Sequence, residues 1–173
     1  MRLFFQLLNM IKSLNTLFVT MFGLGNIPKI PGTFGSLATV IILYIFFHIL
    51  NVPSNIILLG LLTIFIYSFS AIATHIKYTE NKDPKEVIID EFIGQSIPIY
   101  LYEISHGTEK SHDEAIIFYS ICFVLFRFFD IAKPFPVNFF DKNFKNSFGV
   151  IMDDVCAGFY VVLSLICFMV LSS

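Results

Sequence analysis

Apolar residues run with little relief through 34–52, 56–74, 115–132 and 155–171, and the links between these stretches are short and rich in helix breakers. Two of the runs, 36–52 and 56–74, carry no formal charge at all. Runs of this length suit membrane-crossing helices, being too long and too uniform for strands. Thr33 is a suitable N-cap for a helix beginning at Phe34. The brief link Asn51-Val52-Pro53-Ser54-Asn55 predicts that the first two runs form an antiparallel hairpin. The run 115–132 should stop at Lys133-Pro134-Phe135-Pro136, since proline cannot continue a helix. Asp153-Asp154 should precede the last helix and cap its N-terminus, where acidic groups meet the positive end of the helix dipole.

Residues 88–104 depart from the pattern. Asp90-Glu91 open this segment, and Gly94, Gln95, Ser96 and Pro98 interrupt its apolar part. The composition predicts a helix broken near Gly94–Pro98 and buried by its neighbours, because freed backbone groups cannot face lipid. Residues 1–22, with Arg2 and Lys12 in an apolar context and no small-residue cleavage pattern, predict an interfacial or packing helix. Residues 23–32 form a loop, and 23–173 form one domain. The expected fold is all-α, a compact multihelical membrane bundle with four to five apolar helices.

The cations set the orientation. The hairpin tip has none, whereas its outer ends carry Lys29 on one side and Lys77, Lys82 and Lys85 on the other. The positive-inside rule places both ends in the cytoplasm. If 88–104 also crosses, the Lys-rich segments 77–85 and 133–145 share that side, and every unusual charge lies near one face.

Composition agrees with a membrane protein. Of 173 residues 56% are hydrophobic, with 22 Phe, 7 Tyr and no Trp, and the mean hydropathy is +0.78. A formal charge of −2 offers no basic surface of the kind nucleic acid requires. Cys122, Cys156 and Cys167 are odd in number and give no disulfide framework. Cys156 beside an acidic pair reads as a small buried hydrophobe rather than a nucleophile. His48, His75, His106 and His112 match no zinc-ligand spacing.

The chemistry lies in charges placed where hydrocarbon disfavours them: Asp90, Glu91, Arg127, Asp130, Lys133, Asp153 and Asp154. Each costs at least about 2.5–3.5 kcal/mol on insertion scales, so their presence needs a functional reason. Arg127 and Asp130, at i and i+3, can pair on one helical face. Lys133 can snorkel to the headgroups. Pro31-Gly32-Thr33-Phe34-Gly35-Ser36, with Lys29 nearby, is either a plain turn and cap or an anion-binding helix start. Carboxylates without Cys or His select a hard divalent cation, magnesium above others, which also takes phosphate oxygens. Together the residues point to phosphoryl chemistry at a membrane surface.

The segments Pro31-Gly32-Thr33-Phe34-Gly35-Ser36, Asp90-Glu91-Phe92-Ile93-Gly94-Gln95, Arg127-Phe128-Phe129-Asp130-Ile131-Ala132-Lys133-Pro134-Phe135-Pro136 and Gly149-Val150-Ile151-Met152-Asp153-Asp154-Val155-Cys156-Ala157-Gly158 resemble, in this order, the phosphatidylglycerophosphatase A family of bacteria. Phe135 stands where the family commonly has Trp. The resemblance implies a magnesium-dependent phosphatase of the bacterial inner membrane, its site facing the cytoplasm. Its substrate would be a phospholipid of the bilayer, phosphatidylglycerophosphate. On this expectation Mg²⁺ sits on Asp90, Glu91 and Asp153 or Asp154. Lys29, Thr33, Ser36, Arg127 and Lys133 meet the phosphate. Asp130 either orients Arg127 or serves as base or nucleophile. Direct attack by water is the first choice and an aspartyl-phosphate the alternative. The rival readings are a phosphatase or transferase acting on another phosphorylated lipid, and a small transporter with an intramembrane charge relay.

Overall fold

The computed structural model describes residues 2–79, 84–106 and 111–172, with the backbone alone for 2–9, 106 and 172. Among these residues every regular element is helical: α1 Arg2–Val19, a short 3-10 turn Leu24–Asn26, α2 Pro31–Tyr44 with a π-helical last turn to Ile49, α3 Ser54–Thr79, α4 Ile89–His106, α5 His112–Ala132, α6 Val137–Asn143 and α7 Ser147–Ser172. Four helices are long and apolar enough to cross a membrane, at 31–49, 54–79, 112–132 and 147–171. Lys82 lies outside the described residues.

Local chemistry explains most boundaries. Pro31 occupies the first turn of α2, where its fixed φ suits a helix start and its missing N–H is not needed. The helix therefore begins before Thr33, which lies inside the first turn and is not its cap. Ser111 and Glu114 form a reciprocal capping box at the start of α5. At its other end Lys133 caps α5 with a positive φ of 44°, and Pro134 prevents continuation. The last helix starts earlier than its acids suggest. Asn146 Oδ1 accepts from the Gly149 N–H at 3.1 Å, and Asp153 and Asp154 lie in the second turn of α7 rather than at its cap.

The centre of the bundle is α4, packed against α2, α3, α5 and α7. It is not broken. The helix is continuous through Pro98, and the turn before it lies at a close crossing with α7. Proline has no N–H to offer the Gly94 carbonyl one turn back, and this carbonyl faces Gly158. A Cβ on Gly158 would lie 2.4 Å from the Gly94 oxygen, and one on Gly94 would lie 2.5 Å from the Asp154 oxygen. Two glycines thus allow backbone to meet backbone where any side chain would hold the helices apart. The freed carbonyl is covered by protein rather than lipid, as the burial expectation requires.

Side-chain contacts fix the directions. α4 begins beside the first turn of α2 and ends where Glu103 meets His48 of α2 at 3.3 Å and Tyr119 of α5 at 3.2 Å. Tyr44 and His112 close the same end at 2.9 Å. So α4 runs the length of the bundle, α5 returns, and the cations Lys29, Lys85, Lys133 and Lys145 gather around one cavity at one end. α1 packs on α3 there, with Asn15 donating to the Ala71 carbonyl at 2.9 Å and Phe18 edge-on to Tyr67. The link into α4 is pinned between these parts. The Ile88 N–H donates to the Val19 carbonyl at 3.0 Å, and a Cβ on Gly25 would collide with the Glu86 carbonyl at 1.9 Å.

Candidate active site

The charged end of the bundle encloses a cavity of about 420 Å³ built from the start of α2, the link before α4, the ends of α4 and α5 that meet there, α6 and α7. Its floor is acidic. Asp90 and Glu91 open α4, and the crossing one turn below brings Asp154 of α7 beside them. One carboxylate oxygen from each of Asp90, Glu91 and Asp154 lies within 4.8 Å of the others. Asp90 and Asp154 are 8% and 4% exposed. Asp90 Oδ1 and Glu91 Oε2 are buried without a hydrogen-bond partner, which is costly unless a cation or donor meets them. Three hard oxygen donors with unspent lone pairs fit a divalent cation such as magnesium.

Asp153 stands outside this triangle. Its Oδ2 accepts from Lys133 Nζ at 2.8 Å, and its Oδ1 accepts from the Asp154 N–H at 3.1 Å. Adjacent helical residues point about 100° apart, so the two aspartates face different neighbours. Lys133 also reaches Asp141 of α6 at 2.9 Å. Burial opposes the charge on Lys133, but Asp153 and Asp141 outweigh it and raise its pKa above the usual lysine value. Asp141 is moved the other way: partial burial favours its neutral form, yet the Lys133 ammonium holds its pKa below the ordinary carboxylate value.

The cationic wall has a second anchor. Arg127 Nη1 pairs with Asp130 Oδ2 at 2.7 Å, the i,i+3 pair that the spacing predicts. The same nitrogen donates to Ser36 Oγ at 3.4 Å, while Ser36 donates to the Gly32 carbonyl at 3.0 Å. Ser36 is fully buried and does not line the cavity; it braces Arg127 from beneath. Thr33 and Lys29 do line it. Gly32 is needed for a close approach, because a Cβ there would lie 2.1 Å from Glu91 Oε1 and 3.3 Å from Arg127 Nη1.

Of the residues singled out in sequence, Lys29, Thr33, Asp90, Glu91, Arg127, Asp130, Lys133, Asp153 and Asp154 share this cavity. Asp141, Lys145 and Lys85 line it too, and the first of these carried no signal beyond lying in a short polar helix after the proline pair. Gln95 was also passed over. It is fully buried one turn after Glu91, with both side-chain polar atoms unpartnered. His48 and His112 lie at the opposite end of the bundle, and His75 pairs with Glu86 at 3.3 Å.

Comparison with known proteins gives this geometry a family. The sequence profile described as phosphatidylglycerophosphatase A matches residues 17–169. The chain belongs to the phosphatidylglycerophosphatase A family. It is 34% identical over 142 residues to the phosphatidylglycerophosphatase A of Haemophilus influenzae, covering 82% of this chain and 80% of the relative. Identity to the Escherichia coli phosphatidylglycerophosphatase A is 31% over 138 residues, 79% and 73% of the two chains. A putative phosphatidylinositol-3-phosphatase of Bacteroides thetaiotaomicron is 34% identical over 143 residues, 82% and 84% of the two chains. No solved structure matches this chain. With bacterial relatives of this kind and four candidate spans, the family member described here is a multi-pass membrane protein.

Proposed function

We propose that this chain hydrolyses the phosphate monoester of phosphatidylglycerophosphate, giving phosphatidylglycerol and inorganic phosphate, at the cytoplasmic face of a bacterial inner membrane and as a step in phospholipid synthesis. The observation that carries the reading is the meeting of a buried carboxylate triangle with a cationic wall in one cavity at the mouth of an apolar bundle. Five cations and six carboxylates line that cavity, so the bare site carries no surplus of positive charge for a phosphate dianion. Asp90, Glu91 and Asp154 would hold magnesium, which when bound offsets their charge and polarises a phosphoryl oxygen.

The remaining residues bind and orient. Arg127 presents its guanidinium to the phosphoryl oxygens, and Asp130 acts as the positioning partner that fixes it, given their 2.7 Å ion pair. Lys133, already braced by Asp153 and Asp141, supplies a second fixed charge. Thr33 and Gly32, in the first turn of α2, line the same space. Water adds to phosphorus, the phosphorus–oxygen bond to the glycerol carbon chain breaks, and the departing alkoxide takes a proton. A lipid substrate fits the apolar surround, since its acyl chains remain in the bilayer while the headgroup enters.

Phosphate release from phosphatidylglycerophosphate by purified protein, with and without EDTA, tests this reading. Release that is abolished by EDTA and restored by Mg²⁺ is expected; its absence under all conditions rejects the assignment. Phosphatidylinositol 3-phosphate belongs in the same assay because one relative bears that name, and preferential turnover of it would reassign the headgroup. A single turnover in heavy-oxygen water separates the two chemical routes. Label found only in phosphate supports direct attack, and label found in an enzyme carboxylate supports an aspartyl-phosphate.

A further inference from the structure

A second cavity, of about 230 Å³, opens between α2 and α3 and is lined entirely by apolar residues, including Phe46, Ile56, Gly60, Leu61, Ile64 and Phe92. Two of its lining residues, Phe46 and Ile56, are themselves exposed (40% and 56%), as are Ile41, Leu59 and Leu62 next to lining residues in the chain (51%, 67% and 48%). Both helices are candidate spans, so this face meets acyl chains. Its inner wall is Phe92, the residue after Glu91 of the carboxylate triangle. The groove and the charged cavity therefore share the first turn of α4.

Depth matches as well. The α2 part of its lining, Ile42 to Phe46, stands ten to fourteen residues beyond Gly32, about 15–21 Å further along the helix. One leaflet's chains also reach about 15 Å, half of the roughly 30 Å hydrocarbon core. A long chain whose headgroup lies in the charged cavity brings its distal end to the groove, and a short chain does not. Almost no polar surface lines the groove to hold water. Gly60 keeps it open, for a Cβ built there meets nothing within 4 Å.

We propose that the α2/α3 groove binds the distal end of one acyl chain of the substrate lipid and so confers a preference for long chains. This rests on the lipid phosphatase reading above. A bilayer lipid offers the same chemistry, and the shared turn of α4 is what assigns the groove to the substrate.

The test compares dipalmitoyl and dihexanoyl phosphatidylglycerophosphate with the full chain in mixed micelles. Gly60→Phe fills the groove from an open position; Ile56→Trp, at the exposed mouth, serves if the first variant fails to fold. The expected result is a KM for the dipalmitoyl substrate raised about tenfold, the scale of a lost apolar pocket contact. Turnover number and dihexanoyl kinetics stay unchanged. A KM shift equal for both chain lengths, or none for either, overturns the proposal. So does a variant whose only change is a lost stabilisation by added host lipid, which would assign the groove to the bilayer. Absence of phosphate release from both substrates by the unmodified protein overturns the phosphatase reading and the groove assignment together.

Discussion

The crossing of α4 and α7 makes Gly158→Ala the sharpest probe of the site, although residue 158 touches no substrate. The added Cβ would lie 2.4 Å from the Gly94 carbonyl oxygen, and ordinary contact begins at 3.4 Å, so the helices must part by about 1 Å. The obstacle is backbone and no rotamer relieves it. Overpacking of this kind costs about 1–3 kcal/mol, against about 1 kcal/mol gained when alanine replaces a helical glycine. The net loss is about 0–2 kcal/mol, a shift of at most about 8 °C in thermal midpoint, and the bundle folds. Catalysis is less tolerant. The same separation pulls Asp154 from Asp90 and Glu91, whose ligand atoms now lie within 4.8 Å of it, and a 1 Å misplacement lowers rates by about 10². Phosphate release measured against Mg²⁺ concentration should show kcat/KM reduced about 100-fold and a higher half-activating concentration. Activity within about twofold of the unmodified protein, in a Gly158→Ala chain of unchanged fold, would refute the claim that this crossing sets the site geometry.

Three further outcomes follow from the geometry. In a Mg²⁺ titration Asp154→Asn should raise the half-activating concentration by more than about 100-fold, whereas Asp153→Asn, acting through its neighbours, should raise it about tenfold; equal effects would place both aspartates on the ion. A double-mutant cycle of Lys133→Met and Asp153→Asn, read by thermal unfolding, should give a coupling of about 0.5–3 kcal/mol, because Lys133 bonds Asp153 at 2.8 Å. Glu103→Gln, at the far end beside His48 and Tyr119, should lower stability by about 1–2 kcal/mol and leave the Mg²⁺ requirement unchanged.

The chain's own pattern was enough to establish the class of protein. Long charge-free runs can cross a membrane only as helices, and misplaced acids and bases are conspicuous against such a background. The i,i+3 spacing of Arg127 and Asp130 gave their pairing directly, since neighbours on a helix face are fixed by local geometry. Helix starts were harder. Pro31 and Asn146 begin α2 and α7 earlier than the more obvious Thr33 and Asp153-Asp154, because several residues in each stretch can end a helix and tertiary contacts choose among them.

What only the folded arrangement decided is which acids meet. Nothing within residues 88–104 or 147–158 says that Gly94 and Gly158 will touch, yet that crossing brings Asp154, rather than Asp153, to Asp90 and Glu91. The division of labour between the adjacent aspartates, the bracing role of Ser36 and the arrival of Asp141 beside Lys133 are likewise long-range facts. Sequence supplies residue chemistry and local period, which act over a few positions. The partner across a helix crossing depends on the rotation of two helices about their axes, and that is settled only when the whole bundle packs.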